Sequence, residues 1–451
     1  MNVQALVSGL SLGDTLAWRP DGAVTVRAYL GDARCVAAAL PAGQWVLNLC
    51  EDRYHFAVVF AACLLTGKTS LQPASHSVET LDRLAQAYPD VFCVTDGDFE
   101  SHDLPRLPYS DLARGLREPV DEIPSVQAER VVAILFTSGS TGLPQAHGKT
   151  WGRLVMNGLA EAKALGLAGT GTALVGTVPV QHSYGFESTF LLALHGGCCF
   201  WSGKPFYPQD VVDALQAVPR PRMLVTTPHH LAALLASGLD MPAMDGCLSA
   251  TAPLSGELAA RAEQRLGAPI HEIYGSTESS QLASRRTLDG AAWQLLPGVA
   301  LEQEPGFAGT ITHAAGGHVE GRVALSDIIE LLPNRCFHLN GRHADLVNIA
   351  GKRTSLAYLN HQLCAIDGVL DGAFFLPPHD AAGTLTRLTA FVVAPGVSRL
   401  HLMRALRLRL DPVFLPRPLV RIDVLPRNDT GKLPRSTLET LYLEHVAHGA
   451  A

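Results

Sequence analysis

The segment with the clearest capacity for chemistry is residues 137–142, which read TSGSTG and follow the apolar run Val131–Phe136. A buried strand that runs into glycines and hydroxyls exposes backbone N–H groups with little side-chain bulk. Four residues of the segment add hydroxyl donors: Thr137, Ser138, Ser140 and Thr141. Gly139 and Gly142 can adopt positive φ, so the segment is predicted to cradle a phosphate group. A flexible surface loop is the alternative for this composition.

Other segments decide between these alternatives, because they match the signatures of one known family in the right order. They are PVQHSYGF (Pro179–Phe186), EIYGSTES (Glu272–Ser279), LSDI (Leu325–Ile328), GRHADLVNIAGKR (Gly341–Arg353) and LPRNDTGKLPR (Leu425–Arg435). With TSGSTGLP, they resemble the motifs of the acyl-adenylate-forming superfamily, which includes acyl-CoA synthetases, aryl-acid ligases, peptide-synthetase adenylation domains and luciferases. The resemblance extends over about residues 40 to 440.

The resemblance implies an enzyme that joins a carboxylate to ATP, releases pyrophosphate and passes the acyl group of the adenylate to a thiol. Residues 137–142 would then hold the β- and γ-phosphates. Glu278 and Thr141 would bind Mg²⁺, since oxygen ligands suit a hard cation. Thr277 would donate to the α-phosphate. Lys432 would place its charge between the attacking carboxylate and the α-phosphate, where negative charge builds up.

The resemblance also implies a nucleoside site and a catalytic histidine. The residues matched to the adenine side are Ala252, Tyr274 and Gly275. Asp327 would accept hydrogen bonds from the ribose hydroxyls, and Arg342 would bind ribose or phosphate. His182 would contact the reacting carboxylate or gate the tunnel for the thiol.

Two departures from the family motifs bear on activity. Gln145 stands where the signature lysine of TSGSTGxPK is expected, which removes a positive charge beside the triphosphate; Lys149 would replace it only if the loop path allows. Ala344 replaces an acidic residue at the hinge. These departures leave open a protein of another class, a non-catalytic relative that binds adenylate.

The acid is predicted to be an aryl or short acyl acid bound in a compact pocket. The residues matched to that pocket are His182, Tyr184, Phe186, Ser276 and Ser279. Amino-acid-activating relatives bind the α-ammonium group of the substrate with an aspartate in this segment. Glu187 is the acidic residue nearest to that position, but its register does not match. This mismatch favours a substrate without an α-amino group. Small stand-alone members of this kind resemble ligases that load hydroxybenzoate-type starters in aryl-polyene and related pigment pathways.

The acyl acceptor is predicted to be a phosphopantetheine thiol. Residues 399–427 contain seven arginines and two acidic residues, Asp411 and Asp423. Such a basic region would steer an acidic acyl carrier protein, although a solvated helix face gives the same pattern. Free coenzyme A is the alternative acceptor.

Composition favours a globular α/β protein, with 47% hydrophobic and 17% charged residues in 451. The net charge of −7 argues against a nucleic-acid partner. The nine cysteines show no CxxC spacing and read as buried residues of a reducing compartment. The first residues lack a secretion-signal pattern, and the longest apolar stretch, Phe56–Leu65, is too short to span a bilayer. A soluble, cytoplasmic protein without membrane insertion is expected.

The elements that must position these residues alternate between strand and helix, which predicts parallel sheets covered by helices. Strands are predicted at Trp45–Leu49, Val131–Phe136, Ala173–Val178, Met223–Thr226 and Pro269–Ile273, and helices at Arg53–Thr66 and Leu254–Leu266. The predicted organisation is a layered N-terminal domain, 1–341, and a small mobile α+β lid, 342–451, after a hinge near 341–344.

Overall fold

In a computed structural model of the chain, the described residues are 2–446 apart from 74–75, 99–103, 116–118, 139–143, 307–308, 343–345, 350–351, 378–386 and 429–431. Within them, strands and helices alternate as predicted. None of the helices in this described part is both long and apolar enough to cross a bilayer.

The strands are β1 (Val3–Ala5), β2 (Thr15–Arg19), β3 (Gly22–Thr25), β4 (Trp45–Asn48), β5 (Thr69–Gln72), β6 (Phe92–Thr95), β7 (Arg106–Pro108), β8 (Ser125–Gln127), β9 (Val131–Ser138), β10 (Pro144–Thr150), β11 (Ala173–Gly176), β12 (Cys199–Trp201), β13 (Arg222–Thr226), β14 (Gly246–Ser249), β15 (Ile270–Ser276), β16 (Ser280–Arg286), β17 (Trp293–Leu295), β18 (Val299–Gly306), β19 (Gly309–Gly316), β20 (Arg322–Leu325), β21 (Asp327–Leu332), β22 (Cys336–Arg342), β23 (Leu346–Ile349), β24 (Lys352–Ser355), β25 (Asp371–Phe375), β26 (Thr389–Val393) and β27 (Leu419–Arg421).

The helices are α1 (Val26–Ala39), α2 (Arg53–Thr66), α3 (Val78–Ala87), α4 (Tyr109–Leu112), α5 (Trp151–Ala164), α6 (Ser183–Gly185), α7 (Leu192–Gly196), α8 (Pro208–Ala217), α9 (Pro228–Ala236), α10 (Gly256–Leu266), α11 (Leu356–Cys364), α12 (Arg399–Arg409) and α13 (Arg435–His445). A π-helix covers Phe186–Leu191, and 3₁₀ turns cover Thr287–Asp289 and Pro412–Phe414.

Two large sheets carry the site. One has the strand order β10-β9-β5-β4-β6-β7, and the other has the order β21-β22-β17-β16-β15-β14-β13-β11-β12-β2-β3. In the second sheet β12, β11, β13, β14 and β15 run parallel, so the ends of these strands and the loops after them meet at one edge. Such an edge is where open α/β sheets bind their ligands.

The predicted elements form with small shifts at their ends. Helix α2 has the predicted bounds because Asp52 accepts hydrogen bonds from the Tyr54 and His55 N–H groups, while Gly67 ends the helix at a φ of 77°. Helix α10 begins two residues later than predicted, because Ser255 is its N-cap and accepts from the Leu258 N–H. The predicted α/β class is confirmed.

Helix α2 is apolar on all sides and is therefore buried on all sides. Phe56 and Phe60 pack against Phe186 and Phe190 of the π-helix, with ring centroids 5.4–6.2 Å apart. At the start of the same helix, the buried Arg53 guanidinium donates to the backbone oxygens of residues 176 and 178 at 3.3 and 3.0 Å. This contact fixes the backbone that leads from β11 to the segment 179–186.

Residues from 346 onward form apolar clusters of their own. Leu402, Leu406 and Leu410 are buried on and just after α12, in one cluster with Phe374 and Leu359. Strand β27 ends at Arg421. Strands β25, β26 and β27 form a three-stranded sheet, and helices α11, α12 and α13 complete this α+β region.

Candidate active site

A polar pocket lies at the edge where the parallel strands end. Its lining comes from the segments after β11, β14 and β15 and from the loop before α13: His182, Ser183, Tyr184, Glu187, Ala250, Thr251, Ile273, Gly275, Ser276, Thr277, Gln281 and Lys432. Several predicted site residues therefore come together from positions as far apart as 182 and 432.

Thr277 and Glu278 lie at the tip of the hairpin formed by β15 and β16. A side chain at Gly275 would clash with the Ser280 carbonyl oxygen, so the motif requires glycine where the hairpin closes. Ser276 and Ser279 hold the tip together, since their Oγ atoms are 3.1 Å apart and the Ser276 N–H donates to Ser279 Oγ at 3.2 Å. The hairpin thus presents Thr277 to the pocket and Glu278 beside it.

His182 lies on the turn that precedes α6. The His182 N–H donates to the Pro179 oxygen at 3.2 Å, and a side chain at Gly185 would clash with that same oxygen. This close approach explains the proline-to-glycine spacing of the motif. Burial, and then the nearby Lys432 ammonium, lowers the pKa of His182 to about 4, so its ring is neutral at physiological pH.

His147, which the sequence interpretation did not single out, connects two predicted nucleotide residues. Its Nε2 lies 3.1 Å from Thr137 Oγ1 and 3.8 Å from Glu278 Oε1. Strand β10 pairs with β9 so that Gln145 stands opposite Thr137. With a period of two, Gln145, His147 and Lys149 share the face of Thr137, and this hairpin register was the signal that could have revealed His147.

The phosphate segment itself, Gly139, Ser140, Thr141 and Gly142, and the Ser138 side chain lie outside the residues whose placement is described. Both ends of the segment are described: Ser138 and Pro144 pair across the β9–β10 hairpin. Because the His147 ring contacts Thr137 and lies near Glu278, the segment begins close to the β15–β16 tip.

Glu278 has the carboxylate that is suited to bind Mg²⁺ beside the pocket. Its side chain is 40% exposed and sits at the tip of the hairpin. Within the described residues, no group of three or more His, Cys, Asp or Glu side chains is placed to hold an ion. A single carboxylate fits an ion that takes most of its ligands from phosphate oxygens.

The predicted ribose residues meet at the far edge of the second sheet. The Tyr274 hydroxyl donates to Asp327 Oδ2 at 2.9 Å, and Asp327 stands opposite Arg342 in the β21–β22 pair. The Tyr274 ring packs at 5.7 Å from both Trp293 and Phe337, which fixes its plane. Three of the five residues predicted to bind the nucleoside are thus neighbours.

The segment after β14 lines the pocket through Ala250 and Thr251, while Ala252 follows them and is half-buried. Thr251 has a φ of 77°, a conformation that a β-branched residue rarely adopts. The strained backbone of Thr251 indicates that the surrounding structure holds the chain close to the pocket at this position.

Lys432 is exposed and reaches the pocket mouth. Asn428 secures the backbone of its loop, because Asn428 Oδ1 accepts from the Lys432 N–H and the Asn428 N–H donates to the Lys432 carbonyl, both at 2.9 Å. With its backbone held in this way, the exposed Lys432 side chain can bring a positive charge to the pocket mouth.

Two predicted pocket residues do not line the pocket. Phe186 is fully buried in the aromatic cluster around α2, because the π-helix turns its ring away from His182. Ser279 is buried behind Ser276 and supports the hairpin. Tyr184 and Ser276 do line it, and the Tyr184 hydroxyl donates to the Leu248 carbonyl at 3.0 Å.

Lys149 does not take the place of the missing signature lysine. Its buried ammonium donates to Ser280 Oγ at 2.9 Å and to the Glu278 carbonyl at 3.3 Å, beneath the hairpin tip. Gln145, at the position of that lysine, is exposed on β10. The charge lost at Gln145 is therefore not restored by Lys149.

The ammonium instead interacts with the buried carboxyl group of Glu187, which in turn interacts with Glu161. Burial raises the pKa of Glu187 to about 7, although Lys149 and hydrogen bonds from Ser280, Ser183 and Asn157 oppose the shift. Burial raises the pKa of Glu161 to about 8. One cation cannot neutralise two buried carboxylates, so one of the two retains its proton near neutral pH.

Comparison with known proteins agrees with this geometry. The family described as AMP-binding enzyme matches residues 20–311. The structure of ATP-bound MatB from Rhodopseudomonas palustris superposes with a TM-score of 0.82 at 20% identity, over 96% of both chains. 4-Coumarate–CoA ligase of Halorhodospira halophila is 30% identical over 307 residues, 66% of this chain and 73% of the relative. L-Proline–[L-prolyl-carrier protein] ligase of Streptomyces coelicolor is 25% identical over 484 residues, 94% of this chain and 86% of the relative.

The chain thus has the fold of the adenylate-forming enzymes, as the motifs predicted. The chain belongs to the AMP-binding enzyme family, whose acyl- and aryl-CoA ligases activate carboxylic acids with ATP.

Proposed function

We propose that the protein condenses an aryl or short acyl acid with ATP to an acyl-adenylate, releases pyrophosphate and transfers the acyl group to a phosphopantetheine thiol. A hydroxybenzoate is the first acid to test. The observation that carries the proposal is the convergence of Lys432, Thr277 and His182 on one pocket, with Glu278 beside it. These are the groups that adenylation needs.

Each residue has a role that follows from its position. The exposed Lys432 ammonium at the mouth stabilises the charge that develops as the carboxylate attacks the α-phosphate. Thr277 donates to an oxygen of that phosphate. Glu278 would hold Mg²⁺, which would supply positive charge for the pyrophosphate leaving group. The neutral His182 orients the carboxylate without forming an ion pair that would weaken its nucleophilicity.

We also propose that the chain divides at 341/342 and that residues 342–451 act as a mobile lid. The separate apolar clusters on either side of this boundary support the division. Lys432 belongs to the lid, so a rotation of the lid would withdraw the ammonium after adenylation and open a path for the thiol.

An acyl carrier protein is the proposed acceptor. Helix α12 exposes Arg404 and Arg407 beside Leu408, which is 86% exposed. An exposed leucine among arginines fits an acidic partner with an apolar contact at its centre. The carrier-protein ligase among the relatives gives the proposal further support.

ATP–pyrophosphate exchange with a panel of benzoic and short acyl acids tests adenylation. Acid-dependent exchange is expected. If a folded sample binds nucleotide, with a rise in its melting temperature, but exchanges pyrophosphate with no acid, the non-catalytic alternative replaces the enzyme.

The acceptor is tested by mass spectrometry after incubation with coenzyme A or with a phosphopantetheinylated acidic carrier protein. Acylation of the carrier is expected, and Arg404→Glu with Arg407→Glu should raise its KM several-fold. Arg261→Glu on α10 is the matched control and should leave that KM unchanged. Acylation of coenzyme A alone would make the protein a CoA ligase.

A further inference from the structure

The pocket differs in character between its mouth and its floor. Lys432 and Ser276 at the mouth are exposed, whereas Glu187 is 2% exposed and Gln281 is 2% exposed. Ser183, which also lines the pocket, donates from its Oγ to Glu187 Oε1 at 3.3 Å. The end of the pocket away from Lys432 is therefore polar and carries a carboxyl group.

Glu187 is held in place from behind. It lies on the π-helix, and the buried Lys149 ammonium interacts with it electrostatically. Gln281 Nε2 donates to Ser188 Oγ at 2.7 Å, which ties β16 to the same π-helix. A carboxyl group that is held in a fixed position in the pocket lining can select a substituent by hydrogen bonding.

We propose that Glu187 determines acid specificity by accepting a hydrogen bond from a hydroxyl or amino substituent at the end of the substrate opposite its carboxylate. The proposal rests on the proposed adenylation. A substrate with an apolar end would take water away from the Glu187 carboxyl group without supplying a donor, and a substrate with a second carboxylate would place two acid groups side by side. Both are rejected, whereas donor-bearing acids of the same size are accepted.

Discrimination of this kind is large compared with that of an apolar pocket. A site built to hydrogen-bond a substituent disfavours an analogue that lacks it more strongly than an apolar pocket disfavours a missing methylene. We therefore expect wild-type kcat/KM to be at least roughly 10-fold higher for the hydroxylated acid than for the unsubstituted one.

The experiment measures kcat/KM in ATP–pyrophosphate exchange for two matched sets of acids. One set is benzoate, 4-hydroxybenzoate and terephthalate, and the other is butyrate, 4-hydroxybutyrate and succinate. Glu187→Leu should remove or reverse the preference for the hydroxylated acid. Glu187→Gln keeps the volume and adds a donor, so it should reduce that preference and raise activity with the diacid.

The matched control is Glu161→Gln, which alters the buried carboxyl group that interacts with Glu187, one layer behind the pocket. It should leave the ratio between hydroxylated and unsubstituted acids within about twofold of wild type. A general effect of disturbing these buried carboxyl groups would change the ratio in this variant as well, and that result would overturn the proposal.

Two failures can be told apart. If the wild-type protein exchanges pyrophosphate with acids of the panel but neither Glu187 variant alters the ratio, the specificity role of Glu187 is wrong and adenylation stands. If no acid supports exchange, the proposed function fails and the inference falls with it.

Discussion

The two ends of the pocket are built in different ways. The nucleotide end uses backbone groups, hydroxyls and an exposed lysine, most of them in short continuous motifs on loops. The acid end uses buried side chains such as Glu187 of the π-helix and Gln281 of β16, which are distant in sequence. A triphosphate presents the same atoms to every enzyme that binds it, whereas the acid varies. Local motifs therefore reveal the first end, and only the assembled fold reveals the second.

The largest effect that tests this contrast is expected from Lys432→Ala. Adenylation should slow by roughly 10²–10³-fold, because a charge aimed at the transition state is lost. Transfer from a preformed adenylate to the thiol should change far less. Single-turnover measurements of the two half-reactions check this, with Lys163→Ala on the exposed end of α5 as the control. Equal losses in both half-reactions would assign Lys432 to some other role.

His147 tests whether the nucleotide end depends on a residue outside the motifs. Its ring holds Thr137 and Glu278 in a fixed relation, as a second layer does around a metal ligand. His147→Ala should raise the KM for MgATP by roughly 10-fold with little effect on the KM for the acid. The exposed His229 on α9 supplies the control, His229→Ala. An unchanged KM for MgATP would show that the contact has no part in binding.

A smaller effect on stability is expected at the acid end. The pKa of Glu161 is raised from 4.5 to about 8, so the folded state binds its proton more tightly than the unfolded state does. The wild type therefore loses stability as the pH rises from about 4.5 to about 8, because Glu161 ionises more readily in the unfolded state. A glutamine at this position does not titrate and avoids this loss. Relative to Glu161→Gln, the wild type should lose on the order of 3 kcal/mol of unfolding free energy between pH 5 and pH 8.

Thermal unfolding of both proteins at the two pH values checks this sign. The wild-type midpoint, measured against that of the variant, should fall by a few degrees. A difference between the proteins that stays constant with pH would mean that Glu161 is ionised in both states.

Much of the fold was predictable because it follows local rules. The strand ends, the caps Asp52 and Ser255 and the glycine at 67 depend on neighbouring residues. Glycine positions 185 and 275 follow from close backbone approaches inside their motifs. Tyr274 and Asp327 were matched from separate motifs, and their contact follows from the way the strands of the second sheet are assembled.

The rest depended on how distant elements pack. The motif predicted Phe186 to line the pocket, but on the π-helix this side chain packs into the core around α2. Glu187, the next residue, lines the pocket, whereas the sequence motif addressed only its possible contact with an α-ammonium group, for which its register does not match. His147 needed the β9–β10 register before its contact with Glu278 could be seen.

The most direct test of the site is a crystal structure with Mg²⁺ and a non-hydrolysable ATP analogue. One triphosphate should contact the N–H groups of residues 137–142, share its metal ion with Glu278 and lie within reach of the Lys432 ammonium. A triphosphate bound away from residues 137–142, or one that Lys432 cannot approach, would contradict the assignment of this pocket as the adenylation site.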